Sequence, residues 1–202
     1  MKIRVCLVSL VTTLALASSA RASAILVLDG NTLTGADSVL VGSALYDVRF
    51  VDGTCAAIFT GCDAASDFTF TTLADATAAG QALLAQVFLD GSAGNFDTDP
   101  ELTLGCTSVV ACVPLTPYDW LSPLGVFEAI GPINVSSTAD NIGDTHFVAN
   151  TAPYNTATVS DEVWAVWTPS AVVAPVPEPA SLSLLALGLA GVGVRRWRQR
   201  NA

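Results

Sequence analysis

Ala44-Leu45-Tyr46-Asp47-Val48-Arg49-Phe50-Val51 alternates side by side, with Tyr46, Val48 and Phe50 on one face and Asp47 and Arg49 on the other. A period of two over eight residues predicts a half-buried strand. Asp52-Gly53 follows it with the composition of a tight turn, which predicts a hairpin into Thr54 to Phe59, closed off near Cys62. Asp67 to Thr71 alternates again, with Phe68 and Phe70 inward. The period then changes. From Leu73 to Leu89 the chain is Ala-rich and repeats its apolar positions every three or four residues, through Ala76, Gly80, Leu83 and Val87. That pattern predicts the main helix, over about 73–89, ended by Asp90-Gly91. Short apolar pieces parted by Pro, Gly, Asn and Asp predict further strands around Leu102 to Leu104, Val126 to Ile130, His146 to Val148 and Glu162 to Trp167. The last places Trp164 and Trp167 on opposite faces. The expected fold is α+β, a mostly antiparallel sheet with one main helix, in a body of about 150 residues that can bury a sufficient core.

Charge divides the chain sharply. Of 202 residues, 8 are Lys or Arg and 18 are Asp or Glu, a net −10. Between Ile25 and Ala174 seventeen acidic residues face Arg49 alone, a net −16 with no lysine. That composition excludes a nucleic-acid partner, which needs clustered cations, and every mechanism that uses a body lysine. It favours divalent cations and repels anionic headgroups.

The apolar excess lies at the ends. Residues 1–24 open with Lys2 and Arg4, continue apolar from Val5 to Ala17 and finish on Ala-x-Ala sites at Ala20-Arg21-Ala22 and Ala22-Ser23-Ala24. This order reads as a secretory signal peptide, cut after Ala22 or, by preference, after Ala24, since Ile25 begins a strand-like run. Thirteen apolar residues fall short of the roughly 20 that span a bilayer. Cys6 leaves with the signal.

At the other end, Val176-Pro177-Glu178-Pro179-Ala180-Ser181 leads into an apolar stretch, Leu182 to Val194, and then into Arg195-Arg196-Trp197-Arg198-Gln199-Arg200. Prolines 175, 177 and 179 favour an extended, accessible backbone. The apolar stretch reads as a C-terminal membrane helix. Arg195, Arg196, Arg198 and Arg200 act as its stop and stay cytoplasmic under the positive-inside rule, which leaves the body on the far side of the inner membrane. The alternative is a permanent tail anchor, for which the 15 residues Ala180 to Val194 are short.

This tail resembles the PEP-CTERM sorting signal of Gram-negative bacteria, in which a Pro-Glu-Pro motif precedes a membrane helix and an arginine cluster. The resemblance covers about 25 of 202 residues. It implies that Pro177, Glu178 and Pro179 are recognised by an exosortase, a membrane-embedded cysteine-protease-like enzyme that processes the tail and transfers the protein to the cell surface. It also implies a surface or matrix setting, with exopolysaccharide nearby, and no activity for the body. The expected organisation is a signal peptide (1–24), an exported acidic domain (25–168), a Pro-rich linker (169–176) and a sorting signal (177–202). The expected partners are signal peptidase, exosortase and, transiently, the inner membrane.

Cys55, Cys62, Cys106 and Cys112 remain after signal removal, an even number in an oxidising compartment, and read as two disulfides. Of the three connectivities, Cys55–Cys62 with Cys106–Cys112 is favoured because each pair brackets a short segment with Gly or Pro nearby. A four-cysteine zinc site would need closer spacing.

Candidates for chemistry are sparse. Asn95, Asp97, Asp99 and Glu101 alternate with other residues and could converge oxygens on calcium, but Pro100 stands where an EF-hand loop needs glycine. The plainer expectation is a solvated loop with no cofactor. His146 is the single histidine, so multi-histidine metal sites are excluded and any triad would have to use it. Tyr118, Trp120 and Trp164 could line a sugar platform, against which stands burial in the core. The leading expectation is a non-enzymatic surface or matrix protein acting by display or adhesion. A calcium- or carbohydrate-binding module comes second, and a carbohydrate hydrolase using two carboxylates third.

Overall fold

A computed structural model describes residues 23–122, 124–142, 146–149 and 153–171, the strand 146–149 by its backbone alone. The chain opens with β1 (Ile25–Asp29), β2 (Thr32–Val41) and β3 (Ala44–Val51). A short helix α1 (Cys55–Ile58), a 3₁₀ turn (Ala65–Asp67) and the main helix α2 (Leu73–Gln86) follow. Then come the small hairpin β4 (Asp90–Gly91) and β5 (Gly94–Asn95), β6 (Ala111–Leu121), β7 (Val126–Ile130), β8 (Asn134–Val135), β9 (His146–Ala149) and β10 (Glu162–Pro169). Two further 3₁₀ turns lie at Pro100–Leu102 and Thr156–Thr158.

The main sheet runs β1-β2-β3-β10-β6-β7-β9, with β8 also on β6. Every neighbouring pair is antiparallel except β10 with β6, which is parallel over Glu162↔Val113 to Trp164↔Leu115. The mostly antiparallel sheet with one main helix is therefore present. Two-residue turns join β1 to β2 and β2 to β3, led by Gly30 (φ +59°) and Gly42 (φ +60°). Such turns match the twist of paired strands and need a positive φ that glycine adopts at no steric cost.

Strand alternation feeds two cores, one on each face. Along β10, Val163, Ala165 and Trp167 enter the larger core, whereas Trp164 enters the smaller. The larger core is roofed by α2, whose Ala76, Ala79, Ala82 and Leu83 are buried against the sheet. Small side chains let the helix lie close: a methyl at Gly80 would stand 3.3 Å from Ile130 Cγ2 and Pro132 Cδ. Thr72 caps the helix by accepting from the Asp75 N–H at 3.1 Å. At the far end Gln86 pairs its amide with Leu40 in both directions, donating to the carbonyl at 2.9 Å and accepting from the N–H at 3.0 Å. This covers backbone groups that β1, ending its register at Asp37, does not reach.

The smaller core sits under residues 55–68, where Phe59, Phe127 and Tyr154 meet Trp164 edge-on and Phe68 meets Phe59 in the same way. Trp164 is fully buried and its indole N–H donates to the Gly53 carbonyl at 2.9 Å.

Several expectations are corrected. Thr54 to Phe59 is not the second strand of a hairpin: both edges of β3 are taken, by β2 and β10, and Cys55–Ile58 coils into α1. Asp67 to Thr71 is no strand either, since Phe68 and Phe70 are buried in different cores. Leu102 to Leu104 is a 3₁₀ turn leading to a single bridge, Thr103 with Leu33. The helix ends at Gln86 rather than at Leu89, because Val87 and Phe88 turn into the core. Among the described residues no helix is long and apolar enough to cross a membrane. The expected signal peptide and C-terminal membrane helix lie outside the described residues, apart from Ser23 and Ala24.

Candidate functional site

The place where the body passes into its tail is built by β10. Antiparallel pairing with β3 runs from Trp164↔Val51 to Pro169↔Tyr46, and the Ser170 N–H continues it by donating to the Leu45 carbonyl at 3.0 Å. The Ser170 hydroxyl donates to Asp47 Oδ1 at 2.5 Å. The same oxygen accepts the Ser38 N–H at 2.9 Å, where β2 bulges and Ser38 takes φ +58°. One carboxylate thus joins three strands. The Ser170 hydroxyl first, then the Ser38 N–H and the Arg49 charge, hold the Asp47 carboxyl below its ordinary range against an opposing cost of burial. Arg49, the single cation of the body, also pairs with Asp37 at 2.6 Å. Ser43 to Tyr46, Pro169 and Ser170 line a shallow, largely apolar groove beside this junction. Pro177, Glu178, Pro179 and the arginines 195, 196, 198 and 200 lie outside the described residues.

The acidic hairpin is organised by Asp90, expected to stop the helix and not among the four calcium candidates. Asp90 accepts from the N–H groups of Asp97 and Thr98, at 3.0 and 3.1 Å, and from the Thr98 hydroxyl at 3.0 Å. These bonds, the Thr98 N–H foremost, hold its carboxyl below the ordinary range. Of the four calcium candidates, Asn95 and Asp99 meet each other: the Asp99 N–H donates to the Asn95 carbonyl at 2.7 Å, and Asn95 Nδ2 to Asp99 Oδ2 at 3.4 Å. Glu101 is exposed in the turn started by Pro100. Between them Phe96 is fully buried, and the buried Asn134 amide donates to its carbonyl at 2.7 Å. Among the described residues no three His, Cys, Asp or Glu side chains gather as a metal-holding set. Asp140, which accepts from the Val135 N–H at 2.9 Å, has its carboxyl pushed up chiefly by burial, with the charge of Asp97 adding to it.

The aromatic candidates do not form an open platform. Trp164 is fully buried, Tyr118 is 4% exposed, and Trp120 packs at the margin of the smaller core. Two tyrosine–carboxylate pairs appear instead. Tyr118 donates to Glu128 at 2.8 Å across β6 and β7, and Tyr154 donates to Glu162. Burial, with Asp161 adding, raises the Glu162 carboxyl even though the Tyr154 hydroxyl opposes the shift. A Tyr–Glu spacing of eight residues across an irregular segment carries no periodic signal, so sequence alone does not reveal this pair. His146 lies on β9 opposite Ile130 by backbone register.

The cysteines pair as favoured, Cys55 with Cys62 and Cys106 with Cys112, each with Cα atoms 5.6 Å apart. The first holds α1 over Trp164; the second ties the entry of β6 to the larger core.

A disulfide-bonded acidic sheet whose last strand runs within a few residues of a Pro-rich, apolar and Arg-ended tail is a folded body with a C-terminal sorting address. That address is the PEP-CTERM protein-sorting motif, whose family matches residues 175–199, so this chain carries it. The motif implies export, a membrane-anchored sorting intermediate and processing by an exosortase. No curated protein and no solved structure matches the chain.

Proposed function

We propose that the body is a non-enzymatic surface or matrix protein, released to the cell surface or beyond after exosortase processing, and that it acts by display or adhesion. The observation that carries this reading is the sorting motif at 175–199 directly behind the sheet. The two disulfides support an oxidising destination, and a net −16 over residues 25–174 supports a solvated surface that stands off anionic lipid. The test compares surface-accessible protein and cell attachment in the native bacterium, in a strain without its exosortase and in a strain without this protein. Loss of surface protein together with attachment is the expected result. Unchanged surface exposure without exosortase would remove the sorting half of the reading, and unchanged attachment without the protein would remove the adhesive half.

A calcium-dependent bridge to polysaccharide through the acidic hairpin is the second reading. Its support is local: the charge of Asp97 acts on Asp140, and Asn134, whose amide donates to the carbonyl of Phe96 next to Asp97, has a buried Oδ1 with no hydrogen-bond partner. Calcium supplies what such oxygens lack. Calorimetry on the exported protein that gives no calcium heat would retire it.

A further inference from the structure

β1 and β2 are guarded unequally. Where β1 no longer reaches β2, the Gln86 amide pairs with both backbone groups of Leu40. The outer edge of β1 has no such cover: among the described residues β1 pairs with β2 alone. Its sequence, Ile25-Leu26-Val27-Leu28-Asp29, holds no lysine or proline to discourage another strand. The irregularity in the β1–β2 ladder does not blunt this edge either, because the extra residue, Thr34, belongs to β2 and β1 runs regular.

The direction of the β1 backbone groups follows from two contacts. The Val27 carbonyl faces β2, where it accepts the Thr34 hydroxyl at 3.0 Å, and Asp29 closes the two-residue turn against Thr32. Successive residues of a strand turn their N–H and C=O to opposite edges, so those of Leu26 and Leu28 point away from the sheet. Two donors and two acceptors thus stand outward, centred on Val27, and that arrangement is its own complement. Turned about a two-fold axis at Val27, a second β1 sets its Leu28 opposite Leu26 and its Leu26 opposite Leu28, and four backbone hydrogen bonds close. Leu26, packed against the larger core, and Leu28, 37% exposed, gain apolar cross-strand neighbours on one face, while Val27 meets Val27 of the second copy on the other.

Charge selects the same register. Asp29 is the single charged residue of β1. Antiparallel pairing about Val27 holds the two Asp29 residues four positions apart, about 13 Å, beyond the screening length of about 8 Å in physiological salt. Parallel pairing would set them side by side. Asp37, opposite Ile25 on β2, is already paired with Arg49 at 2.6 Å.

We infer that the outer edge of β1 is a self-association surface: two copies of this body pair through Ile25–Asp29, antiparallel about Val27, and join their sheets into one. The inference goes beyond the display or adhesion reading and does not depend on it. A five-residue ladder makes a weak dimer, favoured at high local concentration. The net −16 of each body opposes it, so added salt strengthens it.

The test is sedimentation equilibrium of the exported protein up to about 1 mM, at low salt and at about 0.5 M salt. The mass should rise toward twice that of the monomer, at a concentration at least about threefold lower in the high salt. Val27→Lys places two like charges together on the axis and should weaken association at least about tenfold. Val27→Glu should do the same, and an equimolar mixture of the two variants should recover the dimer. Leu28→Pro removes two of the four new hydrogen bonds and should weaken association as much, while keeping the β1–β2 ladder, since proline is tolerated where the N–H faces solvent. It keeps the test decisive if a charge at position 27 disturbs the fold, which circular dichroism reports. A protein that stays monomeric at about 1 mM in the high salt would overturn the inference and leave the edge to a strand of another chain. A dimer that survives Val27→Lys or Leu28→Pro unchanged, or a mixture of the two charge variants that stays monomeric, would overturn it as well.

Discussion

The two terminal strands of the body carry opposite responsibilities. β1 begins one residue after the preferred signal cleavage point, pairs with β2 alone and leaves Ile25 62% exposed. β10, the strand next to the sorting tail, lies between β3 and β6 and joins the three strands before the helix to those after it. Val163, Trp164, Ala165 and Trp167 on it are all nearly or fully buried. An edge strand can be added or frayed with limited loss, whereas a central strand completes two ladders and both cores at once. The two ladders and both cores of the body therefore close only with its C-terminal strand.

The sharpest way to break that contrast is to remove each strand in turn. A chain ending at Ser160 should lose its cooperative thermal transition and near-ultraviolet circular dichroism altogether. One beginning at Gly30 should retain both at a lower melting temperature. Equal damage from the two truncations would abolish the distinction between edge and centre.

Single substitutions sharpen it. Trp164→Ala should cost about 3 to 5 kcal/mol in urea unfolding, since it empties a site walled by Phe59, Phe127 and Tyr154 and removes one of the two donors to the Gly53 carbonyl, leaving the Thr156 N–H. Ile25→Ala, on the exposed edge, should stay within about 0.5 kcal/mol. A tryptophan variant as mild as the isoleucine one would show that the smaller core contributes little.

The disulfides rank next. Each closes a loop of six or seven residues, which the chain-entropy model values at about 2 to 3 kcal/mol. Replacing Cys55 and Cys62 by alanine should lower the unfolding free energy in urea by that much and expose Trp164 to fluorescence quenching, because this pair fastens the cover over it. Replacing Cys106 and Cys112 should lower the midpoint and leave the quenching unchanged.

The smallest expected effect is on pH. Glu162 is raised in the fold, so the folded state holds its proton more tightly; its contribution is complete below the ordinary carboxylate value and is lost as pH rises through the folded value. Asp47 and Asp90 are lowered and have the opposite sign, contributing above the ordinary value and losing that contribution as pH falls. Glu162→Gln should flatten the decline of melting temperature as pH rises above the ordinary carboxylate range while leaving the acid limb in place. A steeper decline in the variant would reverse the assigned sign.

Much of this architecture is legible in the sequence where one periodicity governs. Ala44 to Val51 and Val126 to Ile130 form strands with those bounds, the helix starts at Leu73, and Trp164 and Trp167 do face opposite cores. It fails where local signals compete with pairing. β6, which holds the sheet together with β10, contains Pro114 and Pro117, and reads as loop because proline is disfavoured in central strands. Pro117 is accommodated at a register shift, between its pairing with Ala129 and that of Asp119 with Glu128. β2 is hidden likewise by its bulge between Ala36 and Val39. At the candidate sites, the tail motif is readable because its parts are contiguous. The Asp47–Ser170 clasp is not, because 123 residues separate its members and nothing but the sheet brings them together.

The central claim is that this is an exported body delivered by its tail, and the intact mass of the protein from its native envelope, before and after reduction, tests it most directly. The account predicts a species beginning near Ile25, ending near Pro177-Glu178-Pro179 and gaining about four mass units on reduction of two disulfides. A mature species that keeps Arg195 to Ala202 would contradict it and define a tail-anchored inner-membrane protein instead.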